Sequence, residues 1–420
     1  MTMKLSNCKI LVLPYTHTLS HLSRPLEISK RLSSQGYKIS FGGDSSKIHF
    51  IKDEGFEVHS AYEPDPNILF NNIRNRKLNF VDNDTLDLMI ESDLRLFEKL
   101  KPDIVITDGR FSAMISTQIA GLKHAAIVNA SSTAYRAIPY FPLFNGLTDD
   151  KHPINSFFSN LLNPLNLKFE IFFFDNMMRI FKRLSKKYQL KREVTATNCL
   201  CGVNLTLMAD IPEFFPTKNL PSNYHYIGPV TWKAPKSKIL PDWWPIDKGE
   251  KKLSYITMGT TGESGLFEKI YDTFKVAENM ISVITTGEQT DKIKSIPGKI
   301  YVTDFMDGDT IMEKADLVVC HGGNGTIYQA LTFGKPIIGI PTIPDQDFNM
   351  RMVENLHVGK KISMNDMLAN PVHLENEIRI ITSGNSDMEI ALSKINKQLG
   401  QINGAFTGSQ IISNFIEKQL

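Results

Sequence analysis

The apolar residues of this chain come in short runs, each followed by a longer stretch with helical periodicity, and the rhythm occurs twice. The first set is KILVLP, a predicted helix near 24–35, YKISFGG, a helix near 45–54, FEVHSA, then KPDIVITD, a helix near 111–121, and HAAIVNAS. The second is LSYITMGT, a helix near 265–279, ISVITTGE, KIYVTDF, a short helix near 309–315, DLVVCHGG, a helix near 325–333, and PIIGIP. Runs that are apolar throughout, rather than alternating, suit strands buried on both faces, and helices between them are the crossovers of a parallel sheet. The expected class is α/β with two doubly wound, Rossmann-like domains. Between the two sets, IGPVTWKAPKSKILPDWWPIDKGEKK (227–252) carries four prolines and three tryptophans and reads as a linker. The boundaries are set at 1–232, 233–250 for the linker, 251–402, and 403–420 for a terminal helix.

The charge balance is close to even, net +2, which gives no electrostatic case for nucleic acid as a partner. Any anionic ligand has to be bound locally. Four cysteines, Cys8, Cys199, Cys201 and Cys320, match neither a disulfide framework nor a zinc spacing, and Cys199–Cys201 reads as a buried strand edge. No apolar window reaches the roughly 18 residues of a membrane span, and the first apolar run is too short for a signal peptide, so the expected location is cytoplasmic. Residues 150–200 break the rhythm with FFSNLLNPLNLKFEIFFFDNMMRIFKRL. Three readings stay open there: helices packed on a sheet, the wall of an apolar ligand pocket, or a face resting on a membrane with Lys182 and Arg183 near one end.

In DLVVCHGGNGTIYQALTFGKP a buried strand runs into His-Gly-Gly-Asn-Gly-Thr and then a helix. Glycines at 322, 323 and 325 allow close backbone approach, and first-turn N–H groups backed by the helix dipole favour an anion, phosphate above all. His321 and Thr326 add side-chain donors. The loop fits neither GxGxxG nor GxxxxGK[ST], which argues against a nicotinamide dehydrogenase and a P-loop kinase. A second glycine turn, Met258-Gly259-Thr260-Thr261-Gly262, ends the first strand of the same set, at the carboxyl edge where ligands bind in such sheets.

HGGNGTIYQALTFGKPIIGIPTIPDQDFNM (321–350), with YIGPV, LSYITMGT and SHLSRPLEISKRLSSQGYKISF, resembles the UDP-glycosyltransferase superfamily over nearly the whole chain. The resemblance implies the GT-B fold, two Rossmann-like domains facing a cleft with the C-terminal helix crossing back to the first. It implies a nucleotide sugar, UDP-linked in preference to TDP-linked, as donor. His321, Gly323, Asn324, Gly325, Thr326 and Thr260 would hold its diphosphate, and Asp345 and Gln346 the transferred sugar. Phe305, Met306 and Gln329 would meet the nucleoside. Gln329 stands where the family has Glu, Phe305-Met306-Asp307-Gly308 where it often has aromatic-x-Pro-Gln, and the proline of Gly-His-x-x-Pro is displaced to Pro25.

Sugar transfer to a hydroxyl needs a base for the acceptor proton and stabilisation of the leaving diphosphate. With His321, Thr326 and a helix N-terminus for the second task, no metal and no cofactor is expected. His21, ahead of a helix whose first turn holds Pro25, is the expected base. Asp108, at the end of the Ile104–Thr107 run, is its carboxylate partner, as the resemblance also implies. His17 is read as a residue of the acceptor pocket and the second choice of base. The acceptor is expected to be an apolar or lipid hydroxyl compound, the chain a monomer or homodimer, with peripheral membrane contact kept open. Alternatives are a membrane-associated lipid glycosyltransferase or an epimerase of the same fold, or a non-catalytic nucleotide-sugar-binding relative.

Overall fold

The computed structural model describes residues 8–75, 77, 80–141, 153–232, 240–259 and 264–419. In chain order these form β1 (Lys9–Pro14), α1 (Leu19–Ser34), β2 (Lys38–Gly42), α2 (His49–Asp53), β3 (Glu57–His59), α3 (Pro66–Arg74), α4 (Asn83–Leu100), β4 (Ile104–Asp108), α5 (Ala113–Ile119), β5 (Lys123–Val128), α6 (Pro153–Met177), α7 (Ile180–Lys187), β6 (Leu205–Met208) and β7 (Tyr224–Tyr226). They continue as β8 (Lys252–Thr257), α8 (Ser264–Val276), β9 (Met280–Thr285), β10 (Ile300–Thr303), α9 (Gly308–Lys314), β11 (Leu317–Cys320), α10 (Asn324–Thr332), β12 (Ile337–Gly339), α11 (Pro344–Asn355), β13 (Gly359–Lys361), α12 (Met364–Ala369), α13 (Val372–Thr382), α14 (Ser386–Leu399) and α15 (Gly404–Gln419). Two compact units result, Met1–Val230 with Asn403–Leu420, and Thr231–Ile402.

Each unit is built on one parallel sheet. The first orders its strands β3-β2-β1-β4-β5-β6-β7 and the second β10-β9-β8-β11-β12-β13. Strand order reverses between β1 and β4 in the first and between β8 and β11 in the second, so each sheet has a crevice at the carboxyl ends of those pairs. The central runs are apolar throughout because helices cover both faces: Ile10, Leu11, Val12 and Leu13 are all buried, as are Leu317, Val318 and Val319. In the first unit α15 packs on α1; Gly408 stands where a Cβ would lie 2.9 Å from Ile28, and Tyr37 Oη meets Ser413 Oγ at 2.8 Å.

Two expectations are corrected. Helix α1 begins at Leu19, not near 24, with Thr18 as N-cap, so Pro25 lies inside it rather than in its first turn. Pro25 has no N–H for the His21 carbonyl, a loss of roughly 3 kcal/mol in a helix interior. Leu22, Leu26, Ile28 and Leu32 of the same helix are fully buried in the core, and at about 1.5–3 kcal/mol each their burial exceeds that loss. Cys199 and Cys201 are buried, but in a turn ahead of β6 and not on a strand. Of the stretch read as a linker, 233–239 lie outside the described residues. The part after 240 is held by the second unit, where Trp243 stacks on Tyr301 at 4.9 Å and Lys248 Nζ donates to Asp316 at 2.6 Å.

Candidate active site and nucleotide site

At the first crevice, β1 and β4 end side by side with Pro14 paired to Asp108, and the Tyr15 N–H donates to the Asp108 carbonyl at 2.8 Å. The Asp108 side chain is fully buried and the His21 side chain is 32% exposed, with Nδ1 of the imidazole 2.6 Å from Oδ1 of the carboxylate. Arg24, one turn along α1, fills the rest of the carboxylate: Nε donates to Oδ2 at 2.8 Å and Nη2 to Oδ1 at 2.6 Å. Its Nη1 donates to Asn129 Oδ1 at the end of β5. Arg24 Nη2 also lies 3.2 Å from His21 Nδ1. Two donors sharing one carboxylate oxygen explain that approach, so the proton is assigned to Nδ1 and the lone pair to Nε2 on the opposite edge of the ring. His21 is the third residue of α1, in the first turn of that helix. Gly109, at φ +73°, completes the fit, since a Cβ there would stand 2.9 Å from the imidazole Cγ.

The structure thus brings His21 and Asp108 together and adds three residues that sequence reading missed. Arg24 was legible as a residue three positions after His21, hence on the same helix face. Gly109 follows the candidate aspartate directly. Asn129 gave no signal beyond its place after a strand.

The second crevice lies between β8 and β11, where Cys320 pairs with Thr257. Gly323 is the N-cap of α10, which puts the amides of Asn324, Gly325 and Thr326 in the first turn, where no helical carbonyl precedes them to accept. His321 is buried between two glycines: a Cβ on Gly259, at φ +58°, would lie 2.5 Å from its Cε1, and one on Gly323 2.6 Å from its Nε2. Burial pushes its imidazole down to about 4, against a smaller opposing pull from the Thr257 backbone, so the ring is neutral at pH 7. Thr260 lies outside the described residues.

Residues read as contacts to the sugar and nucleoside are placed unevenly. Asp345 and Gln346 sit in the first turn of α11. Gln346 is buried, and its Oε1 already accepts from the Thr342 amide at 2.9 Å and its hydroxyl at 3.0 Å. Asn349 donates to the Gly322 carbonyl at 2.9 Å and so braces the glycine loop. Phe305 is 43% exposed, whereas Met306 is buried in the second unit, which removes its side chain from the surface where a nucleoside would lie. Gln329 Nε2 donates to Asp309 Oδ1 at 2.6 Å.

His17 is not beside His21's carboxylate but 3.4 Å from Asp44. With Glu63 these make the one group of three metal-type ligands among the described residues, their atoms within 4.8 Å of one another. Glu63 already accepts from the Thr16 amide at 2.5 Å, from the Thr16 hydroxyl and from the Asp44 amide at 3.0 Å. Burial nevertheless keeps its pKa raised, and the bonds fasten the β1–α1 loop to the loops after β2 and β3.

Two doubly wound parallel sheets, one in each unit and each with a crevice at its carboxyl edge, are the architecture of the GT-B fold. Residues 254–402 match the model of the glycosyltransferase family 28 C-terminal domain. The PGL/p-HBAD biosynthesis rhamnosyltransferase of Mycobacterium bovis (strain BCG / Pasteur 1173P2) is 30% identical over 353 residues, covering 84% of this chain and 76% of that one. Among solved structures, the glycotransferase of kitacinnamycin superposes with a TM-score of 0.70 at 16% identity, over 97% of this chain and 98% of that one. The spinosyn rhamnosyltransferase SpnG complexed with thymidine diphosphate gives 0.68 at 14%, over 96% and 99%. The chain belongs to the same glycosyltransferase family as the PGL/p-HBAD biosynthesis enzymes, with the GT-B fold, and it is a glycosyltransferase.

Proposed function

We propose that the protein moves a hexose or deoxyhexose, with inversion, from a nucleotide diphosphate sugar to a hydroxyl of an apolar small-molecule or lipid acceptor, with His21 as general base. The observation that carries this reading is the 2.6 Å contact of His21 Nδ1 with the buried Asp108, which leaves Nε2 to take the acceptor proton. As the hydroxyl loses its proton to Nε2, its oxygen bonds to the anomeric carbon and the sugar–phosphate bond breaks. The leaving diphosphate is received by the α10 amides, Thr326 and His321, the last as a neutral N–H donor. Acceptor class is supported by the name of the mycobacterial relative, a rhamnosyltransferase of PGL/p-HBAD biosynthesis, and by the natural-product neighbours.

For the donor, we favour thymidine diphosphate over uridine diphosphate. Gln329, whose amide donates to Asp309, lacks the charge that a carboxylate would bring to the two hydroxyls of a ribose, so less is lost when one of them is missing. SpnG, a rhamnosyltransferase by title, is complexed with thymidine diphosphate. Thermal shift with a panel of nucleotides tests this: TDP should raise the melting temperature more than UDP at equal concentration, and the reverse order would sink the preference.

The glycines offer an internal control. Gly323→Ala drives a methyl into the His321 ring, while Gly265, in the first turn of α8 and outside the loop, has nothing within 4 Å of where its Cβ would be. TDP affinity by calorimetry is expected to fall at least ~10-fold for Gly323→Ala, about 1.4 kcal/mol, and to change little for Gly265→Ala. Unchanged affinity in Gly323→Ala would show that the His321 packing is not what shapes the site.

A further inference from the structure

Over residues 164–177, helix α6 is turned inside out. Its buried side carries polar groups: Asn166 donates to the Phe141 carbonyl at 3.0 Å, and Glu170 pairs with Arg136 and accepts from the Tyr140 and Phe141 amides at 3.1 and 2.9 Å. Its outer side carries Leu165, Phe169, Phe172, Phe173 and Met177, exposed by 61, 56, 66, 40 and 43%. Spacings of four, three, one and four residues put these five in one stripe along about 18 Å of helix. A surface helix of a soluble protein shows the opposite arrangement, and a contiguous apolar strip of this kind marks a contact site. Two residues past the stripe the charge changes: 179–192 hold seven Lys and Arg and no Asp or Glu. Arg179, Arg183, Lys186 and Lys187 among them are exposed.

We infer that the α6 stripe and the basic α7 segment form a docking surface for an anionic lipid bilayer, with the phenylalanines at the acyl boundary and the cations at the headgroups. The charge decides between occupants. A second copy of this chain would bring an equally basic α7 segment against the first, whereas an anionic headgroup layer complements it. No helix among the described residues is long and apolar enough to cross a membrane, so the contact is one of lying on the surface. The inference deepens the lipid branch of the acceptor reading but does not depend on turnover.

The test is co-sedimentation of the full chain, without donor, with vesicles of phosphatidylcholine alone and of phosphatidylcholine with an equal share of phosphatidylglycerol. Binding to the mixed vesicles only, released at high salt, is expected. Phe169→Ser with Phe172→Ser should cut that binding at least tenfold, as should Arg183→Glu with Lys186→Glu. All four side chains stand in solvent, and a retained melting temperature and TDP-induced shift show that each variant is folded. Three results would overturn the inference: no vesicle binding, equal binding to neutral vesicles, or a dimer lost in the phenylalanine variant with no binding to lipid. Transfer to a soluble acceptor, assayed in detergent, reports on the proposed reaction separately.

Discussion

His21→Ala is expected to slow sugar transfer by about 10²–10⁴-fold while leaving TDP affinity at the wild-type value. The two readouts separate because the residues involved belong to different sheets: His21 and Asp108 to the crevice of the first, His321 and the α10 N-terminus to that of the second. Transfer is followed as TDP release in the presence of acceptor, and affinity by calorimetry. His17→Ala is the matched control. That histidine is 3.4 Å from Asp44 rather than beside Asp108, and Asp44's side chain is 38% exposed, so any imidazolium on His17 would be steadied by a solvated carboxylate instead of a buried one. Asp108→Asn should fall between the two, because an amide can still hold the ring but cannot offset the charge it acquires. Unchanged transfer in His21→Ala would remove the base assignment, and a loss confined to His17→Ala would move it.

The sheets were legible because their central strands are covered on both faces, so KILVLP, DIVITD, LSYIT and DLVVC print as unbroken apolar runs. The glycine loop was legible because an anion site at a helix start uses consecutive residues, all within 321–326. Contacts made across the chain were not. Arg24 reads in sequence as one more cation on an amphipathic helix, and its partner Asp108 is 84 residues away. The start of α1 was misplaced by taking Pro25 as a first-turn signal, when burial of four aliphatic side chains overrides the local rule. Met306 was assigned by analogy to an aromatic-x-Pro-Gln loop, but the core of the second unit claims its side chain. The α6 phenylalanines were visible as a run; which way they face depended on Glu170 and Asn166 finding buried partners, which no periodicity encodes.

Arg24→Ala is expected to destabilise the first unit by roughly 3–5 kcal/mol, the range seen when one partner of a buried ion pair is removed. Asp108 has no exposure at all, and Arg24 supplies two of the three hydrogen bonds at its carboxylate. Without the guanidinium a charge stays in a site with no water to solvate it, and at about 2–4 °C per kcal/mol the melting temperature should drop by roughly 6–20 °C. Arg24→Lys is expected to recover little, since one ammonium cannot reproduce the paired Nε and Nη2 contacts. Combining Arg24→Ala with Asp108→Asn should restore part of the loss, because the double variant no longer buries a bare carboxylate; the non-additivity measures the pair directly. Stability alone would not separate a prop from a participant in the chemistry, so transfer kinetics are read as well. Arg24 fixes the carboxylate that orients His21, so kcat should fall with the KM for donor unchanged, and added guanidinium should return part of the rate in Arg24→Ala. A melting temperature equal to wild type would mean that Asp108 is held by something other than Arg24, and the His21 geometry would then owe nothing to it.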